Sequence, residues 1–185
     1  MIDDTLKAAD SKMQKTVQVL KREMETIRSG RATAALVDGI VVEAYGTNTP
    51  LPQLANISVP EARLLLIQPW DRSIVGNVQK AIQKSDLGLN PQSDGEVIRL
   101  VIPPPTEERR KDLVKVVHKR VEDAKIAVRN VRRDALEELR KLEKDKKVSR
   151  DDSTRATDRL QKLTDRFIGE VSKVGADKEA EIMEV

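Results

Sequence analysis

The apolar positions of this chain follow two different rhythms, and the change between them marks its organisation. Over 4–28, Leu6, Ala9, Met13, Val17, Leu20, Met24 and Ile27 recur at spacings of three and four, which lines one face of an α-helix. The run stops at Ser29-Gly30, where a glycine after the last periodic residue suits a C-terminal cap. A second run over 107–146 carries Val114, Val117, Val121, Ala124, Val128, Val131 and Ala135. Thr106 can cap its start, and Glu107 and Glu108 suit the positive end of a helix dipole. A third run begins near Arg150 after a Ser149 cap, with Ala156, Leu160, Leu163, Phe167, Val171, Val174 and later Ile182. Each helix has a single apolar stripe and is unstable alone in water, so the three are expected to bury their stripes against one another in an antiparallel bundle. The second, at about 40 residues, would be roughly 60 Å long, which makes the bundle elongated.

Residues 32–105 read differently. All eight prolines fall between Pro50 and Pro105. Positions 40–45 read as a strand followed by a turn at Gly46-Thr47-Asn48; 63–68 and 96–102 read as further strands, the last after the turn signal Asp94-Gly95. Over 73–85, Ile74, Val78, Ala81 and Ile82 mark a short amphipathic helix. Trp70 is expected to fill the core of this segment, which has little other aromatic bulk. The fold class that follows is α+β: a three-helix bundle from 1–30 and 106–185, with a small β/α/β domain inserted at 31–105. The insert hangs on Ser29, Gly30 and Arg31 on one side and Pro103, Pro104 and Pro105 on the other. Glycine permits many backbone angles and three prolines form a stiff extended segment, so the pair reads as a two-strand hinge. Two ordinary loops with a fixed interface are the alternative.

Composition narrows the chemistry. Charged residues make up 35% of the 185 residues and aromatics only 2%, which suits long amphipathic helices better than a β-sandwich. With no cysteine there is no disulfide, thiolate metal site or cysteine nucleophile, and one histidine cannot build a His-rich metal site. There is no GxxxxGK[ST] phosphate loop and no GxGxxG, and the many acids lie at helix-surface spacings beside Lys and Arg. His118, among Lys115 and Lys119, reads as a surface residue. A non-enzyme without cofactor or metal is expected. The acidic start lacks the apolar stretch of a signal peptide, and no run approaches the roughly 20 apolar residues of a membrane span, so a cytoplasmic protein with no membrane partner is expected.

The net charge of +3 is modest, and the placement of charge says more. At about 100° per residue, Lys111, Lys115, Lys125, Arg129, Arg132, Arg133 and Arg140 cluster roughly 120° from the apolar stripe of the second helix. Glu122 and Leu136 interrupt that face, and Arg129-Asn130-Val131-Arg132-Arg133 is its densest part. Arginine's planar fork suits bidentate phosphate contact, and several on a straight helix make a linear footprint for a sugar-phosphate backbone. A solvated face that keeps a long helix soluble is the plain alternative, and an adaptor whose basic face meets an acidic protein is a third reading. With one Trp, one Tyr and one Phe, no stacking platform for single strands is expected. Nor is there a helix-turn-helix or finger pattern, which leaves the shape and backbone of a folded RNA.

Several segments resemble the bacterial ribosome recycling factor family. They are Ile27-Arg28-Ser29-Gly30-Arg31-Ala32, Pro69-Trp70-Asp71, and the stretch from Ser85 to Pro91. Also similar are Pro103 through Lys111, Val128-Arg129-Asn130-Val131-Arg132-Arg133-Asp134-Ala135, and Gln161-Lys162-Leu163-Thr164-Asp165. The resemblance implies an L-shaped, monomeric protein the size of a transfer RNA. It implies a factor that binds the large ribosomal subunit after termination and splits the ribosome with elongation factor G and GTP, the GTPase being the partner. By matching position it implies that Arg110, Arg129 and Arg132 contact large-subunit rRNA. Arg133 shares the basic face, and Arg28 and Arg31 are candidates for RNA contact or for fixing domain orientation. Pro105 stands where the family usually has leucine, which should stiffen the second hinge strand.

Overall fold

The computed structural model describes residues 1–184. In chain order the elements are α1 (Ile2–Thr26), β1 (Val41–Ala44), β2 (Thr47–Pro50), β3 (Ala55–Glu61), β4 (Leu64–Pro69), α2 (Val75–Lys84), β5 (Gln92–Ser93), β6 (Ile98–Val101), α3 (Glu107–Lys144) and α4 (Arg150–Met183). They form two compact units, Met1–Ser29 with Glu107–Glu184, and Gly30–Thr106. The fold is α+β, as the two rhythms of the sequence predict.

In the helical unit, α1 and α4 run parallel and α3 runs against both. Cross-helix ion pairs give the direction: Asp3–Arg159 at 3.3 Å and Asp10–Arg166 at 3.6 Å climb together, whereas Glu23 meets Arg120 at 3.6 Å. The stripes meet in one core that includes Met13, Leu20, Val117, Val128, Leu139, Leu160, Phe167, Val171 and Ile182. Removing each such side chain from water contributes about 1.5–3 kcal/mol, which is what holds helices that would melt singly. Val114, Val131, Leu163 and Val174, expected in the stripes, are only partly buried, while Leu113 and Leu139 of α3 are fully in.

The helix ends differ in detail from the sequence expectation. α1 stops at Thr26, and Ile27 is already extended at φ −81 and ψ 112, so Gly30 does not cap it. α3 ends at Lys144 rather than at 146. The chain turns through Lys146 at φ 57, with Lys147 N–H donating to Leu142 O at 3.0 Å and Lys146 N–H to Glu143 O at 3.0 Å. This is a Schellman closure with lysine in the usual glycine position. α4 opens as expected, with Ser149 Oγ accepting from Asp152 N–H at 3.0 Å.

In the small unit β1 and β2 form a hairpin, and the other four strands form an antiparallel sheet in the order β3-β4-β6-β5. The hairpin turn is Tyr45-Gly46, with φ 53 and 77, and not Gly46-Thr47-Asn48. Positive φ at both central residues matches the right-handed twist of the flanking strands. The sequence reading missed β2, β3 and β5. In β3 the reason is Pro60, which argues against a strand; the chain tolerates it because β3 is an edge strand with a register shift between Ser58 and Glu61. The core is aliphatic: Val37, Leu51, Leu65, Ile67, Val78, Ile82, Ile98 and Leu100 are fully shielded.

Both segments that lead into and out of this unit are pinned to one turn. Ala32 N–H donates to Ala62 O at 2.7 Å, and Ile102 N–H donates to Arg63 O at 2.8 Å.

Candidate nucleic-acid interface

The basic stripe lies on α3 with its apolar side turned to the core. Arg129 is exposed, Arg132 is half-buried and Arg133 is exposed. One-residue offsets around a helix account for the difference, since Arg132 sits nearer the α4 seam. There its Nη1 donates to Gln161 Oε1 at 3.4 Å, and Gln161 Nε2 donates in turn to Asp165 Oδ1 at 2.9 Å. Arg133 Nη2 donates to Asn130 Oδ1. Among the described residues no acid pairs with Arg129, Arg132 or Arg133.

The flanks of the stripe are different. Lys111 pairs with Glu107 at 3.5 Å, Lys125 with Glu122 at 3.6 Å, and His118 with Glu179 of α4 at 2.9 Å. Uncompensated charge is therefore concentrated in the 129–133 segment, with exposed Lys115 before it and exposed Arg140 after it. Guanidinium groups held by neutral amide oxygens keep their charge and most of their donors for an outside anion.

The other arginines singled out from sequence lie elsewhere. Arg110 is 19 positions before Arg129, roughly 28 Å along the helix. It is half-buried, and its Nε is shielded without a hydrogen-bond partner among the described residues. A buried donor left unpaired costs stability. Arg28 is exposed just beyond α1, in the helical unit, whereas Arg31 is exposed in the small unit. Of the connecting residues, Ser29 is buried and its Oγ donates to Glu181 Oε1 at 3.1 Å. Gly30 has φ +83 against the ring of Pro105; Pro103 and Pro104 are exposed and Pro105 half-buried.

Trp70 corrects the sequence reading: it is 69% exposed and fills no core. Leu65, Ile67 and Pro69 face inward along β4, so the period of two puts position 70 on the outward parity. The sequence carries no such parity, because Leu64, Leu65, Leu66 and Ile67 are all apolar. Tyr45 is 68% exposed, and its hydroxyl donates to Asp71 Oδ2. That bond, with the Ser73 N–H at 2.9 Å, holds the Asp71 carboxyl below the usual carboxylate range, and the Asp71 bond in turn raises the Tyr45 phenol. Asp94 is likewise lowered, first by the Val97 and Glu96 amides of its turn. The Gln161 brace was beyond the sequence, since it acts across 29 positions from another helix.

Among the described residues no helix is long and apolar enough to cross a membrane. The family model described as ribosome recycling factor matches residues 20–183. The chain is 55% identical over 185 residues to the ribosome-recycling factors of Symbiobacterium thermophilum and Carboxydothermus hydrogenoformans, covering 100% of both chains in each case. It is 52% identical to that of Chloroflexus aggregans over the same span and coverage. A solution structure of the ribosome recycling factor is similar at a TM-score of 0.72 and 46% identity, over 100% of this chain and 98% of that one. A second similar chain, at a TM-score of 0.64 and 41% identity over 100% of both, comes from models of the T. thermophilus ribosome recycling factor and E. coli elongation factor G on the E. coli post-termination complex.

Proposed function

The chain belongs to the ribosome recycling factor family, and from that we propose a mechanical translation factor that parts the post-termination ribosome into subunits with elongation factor G and GTP. The observation that carries the anchoring half of this reading is the run Arg129, Arg132 and Arg133, with which no acid pairs among the described residues. These residues, with Arg110 toward the start of α3, dock on large-subunit rRNA. Arg28 and Arg31, at the hinge side, contact the same RNA or fix the orientation of the small unit. The α3 core face is too well packed against α1 and α4 for the helix to bend readily, so it passes force along its length.

In this reading residues 31–105 form the body that elongation factor G pushes, moving against 1–30 and 106–185. The Ser29-Gly30-Arg31 and Pro103-Pro104-Pro105 segments act as the hinge. Support comes from the two strands being tied to one turn at Ala62 and Arg63, and from the glycine with positive φ in the first strand. GTP is hydrolysed by the partner. This chain contributes no catalytic group and needs no cofactor, and it works as a cytoplasmic monomer.

The test is a subunit-splitting assay on post-termination ribosomes with elongation factor G and GTP, with omission of this protein as the control. Splitting that depends on the protein and on GTP is expected. Splitting at the same rate without the protein overturns the reading. Binding to large subunits that survives high salt and RNA digestion would instead assign the basic face to a protein partner.

A further inference from the structure

The small unit has a cleft of its own, between β1 and α2. Along β1 the period of two turns Val41 and Glu43 outward, and Tyr45 follows at the turn, while Val42 and Ala44 are buried. On α2, Asn77, Lys80, Ala81 and Lys84 stand at helical spacings that share one face. Between them lies an open cleft of about 620 Å³, also lined by Gly46 and Asn48. That is within the roughly 300–1,000 Å³ of clefts that take small ligands.

Four observations describe what would fit. Lys80 and Lys84, one turn apart on the same face of α2, are exposed and have no acidic partner among the described residues, so the cleft presents two cations to an anion. The Asn48 and Asn77 amides are also without hydrogen bonds among the described residues and offer both donors and acceptors. Tyr45 sits in left-handed backbone at φ 53, and its hydroxyl bond to Asp71 fixes an exposed ring at the mouth. Backbone of that kind is unusual outside glycine and is held by its surroundings. Trp70, next to Asp71 in the chain, leaves a second aromatic ring open to solvent.

We propose that this cleft is a second RNA site, which takes a short single-stranded segment with a base on the Tyr45 ring and phosphates on Lys80 and Lys84. The combination favours nucleic acid over an acidic peptide. The exposed Tyr45 ring offers a base a face to stack on, which acidic side chains lack; Glu43 in the lining repels either anion and can accept from a base amino group or a ribose 2′-hydroxyl. A planar ring beside paired cations is the arrangement that binds single strands without reading sequence. The site is separate in the chain from the α3 stripe, and it revises the expectation that the protein has no surface on which a base could stack.

The chain has no cysteine, so Val41→Cys carrying a photoreactive aryl azide places one label at the cleft of the full-length protein. The probe is a fluorescent decauridylate, with decaglutamate as the acidic-peptide competitor. Crosslinking to the oligonucleotide is expected, reduced at least fivefold by Lys80→Ala with Lys84→Ala. The same double variant should lower the slope of log affinity against log salt by about 1.4, at about 0.7 for each single-strand phosphate no longer neutralised. Tyr45→Ala should reduce labelling as well, while Tyr45→Phe, which keeps the ring, restores it. Absence of crosslinking, or labelling indifferent to the lysines, overturns the proposal. Displacement by decaglutamate at lower concentration than by unlabelled decauridylate overturns it in favour of a peptide site. The probe contains no ribosome, so the outcome is independent of the recycling reading.

Discussion

Gly30 and Pro105 approach so closely that a Cβ on Gly30 would lie 2.6 Å from Pro105 Cδ. The two connecting segments therefore touch at this point, one residue from each. Gly30→Ala meets two penalties: left-handed backbone at φ +83, about 1–2 kcal/mol, and a proline ring that cannot swing aside. A loss of about 2–3 kcal/mol in the denaturation of the small unit is expected. Pro105→Ala in the same chain should recover at least about 0.5 kcal/mol of it in a double-mutant cycle. Strict additivity would reject the contact.

Two glycines of α4 should respond oppositely to alanine. At Gly175 a Cβ would lie 2.4 Å from Val121 Cγ2, on a stiff β-branched side chain in the core. The helix-propensity gain of about 1 kcal/mol is outweighed by overpacking of about 1–3 kcal/mol, so Gly175→Ala lowers the melting temperature. At exposed Gly169 nothing lies within 4 Å, so Gly169→Ala raises it, by about 0.5–1 kcal/mol of stability. The same sign at both sites would contradict the packing described.

Glu181 bridges Ser29 and Lys178, whose ammonium lies 3.1 Å from Glu181 Oε2 with a side chain only 10% exposed. Removing the acid strands a largely buried cation, so Glu181→Ala should cost about 2–3 kcal/mol, below the range for fully buried pairs. Ser29→Ala loses one hydrogen bond and should cost about 1 kcal/mol. Urea titration followed by helix circular dichroism orders the two; a larger loss for Ser29→Ala would refute the assignment.

On the α3 stripe, Arg132→Ala should weaken binding to isolated large subunits by about 1–3 kcal/mol, the range for charge-assisted hydrogen bonds. Gln161→Ala leaves that charge in place and removes only its brace, so a loss of under about 1 kcal/mol is expected. Co-sedimentation at fixed salt measures both. Unchanged binding in a folded Arg132→Ala protein would sink the anchoring claim.

The Tyr45–Asp71 bond gives a pH signature. Asp71 is lowered in the folded protein, so its contribution to stability is present above the ordinary carboxylate value and fades as pH falls through the lowered one. Tyr45 is raised, so its contribution is present below the ordinary phenol value and fades as pH rises through the raised one. Tyr45→Phe should move the Asp71 midpoint upward in a carboxyl NMR titration. A midpoint that does not move would show that the Ser73 amide alone holds it down.

Stripe residues on the bundle were legible because each helix advertises its buried face locally, as Met13, Val117 and Leu160 do through three- and four-residue spacing. The arginine cluster was legible for the same reason: 129, 132 and 133 share a helix face whatever packs behind it. Strand β3 was not, since Pro60 speaks against a strand until the sheet order makes β3 an edge.

The amino-acid order thus determined the long helices and the basic face of α3, which depend on spacings within a few turns of chain. Tertiary structure alone decided that Trp70 and Tyr45 face solvent, because the small unit's aliphatic residues already fill its interior. It alone brought Gln161 to Arg132, Glu181 to Ser29 and Gly30 to Pro105. Those pairs join residues distant in the chain, and only the packing of whole elements brings them within reach of each other.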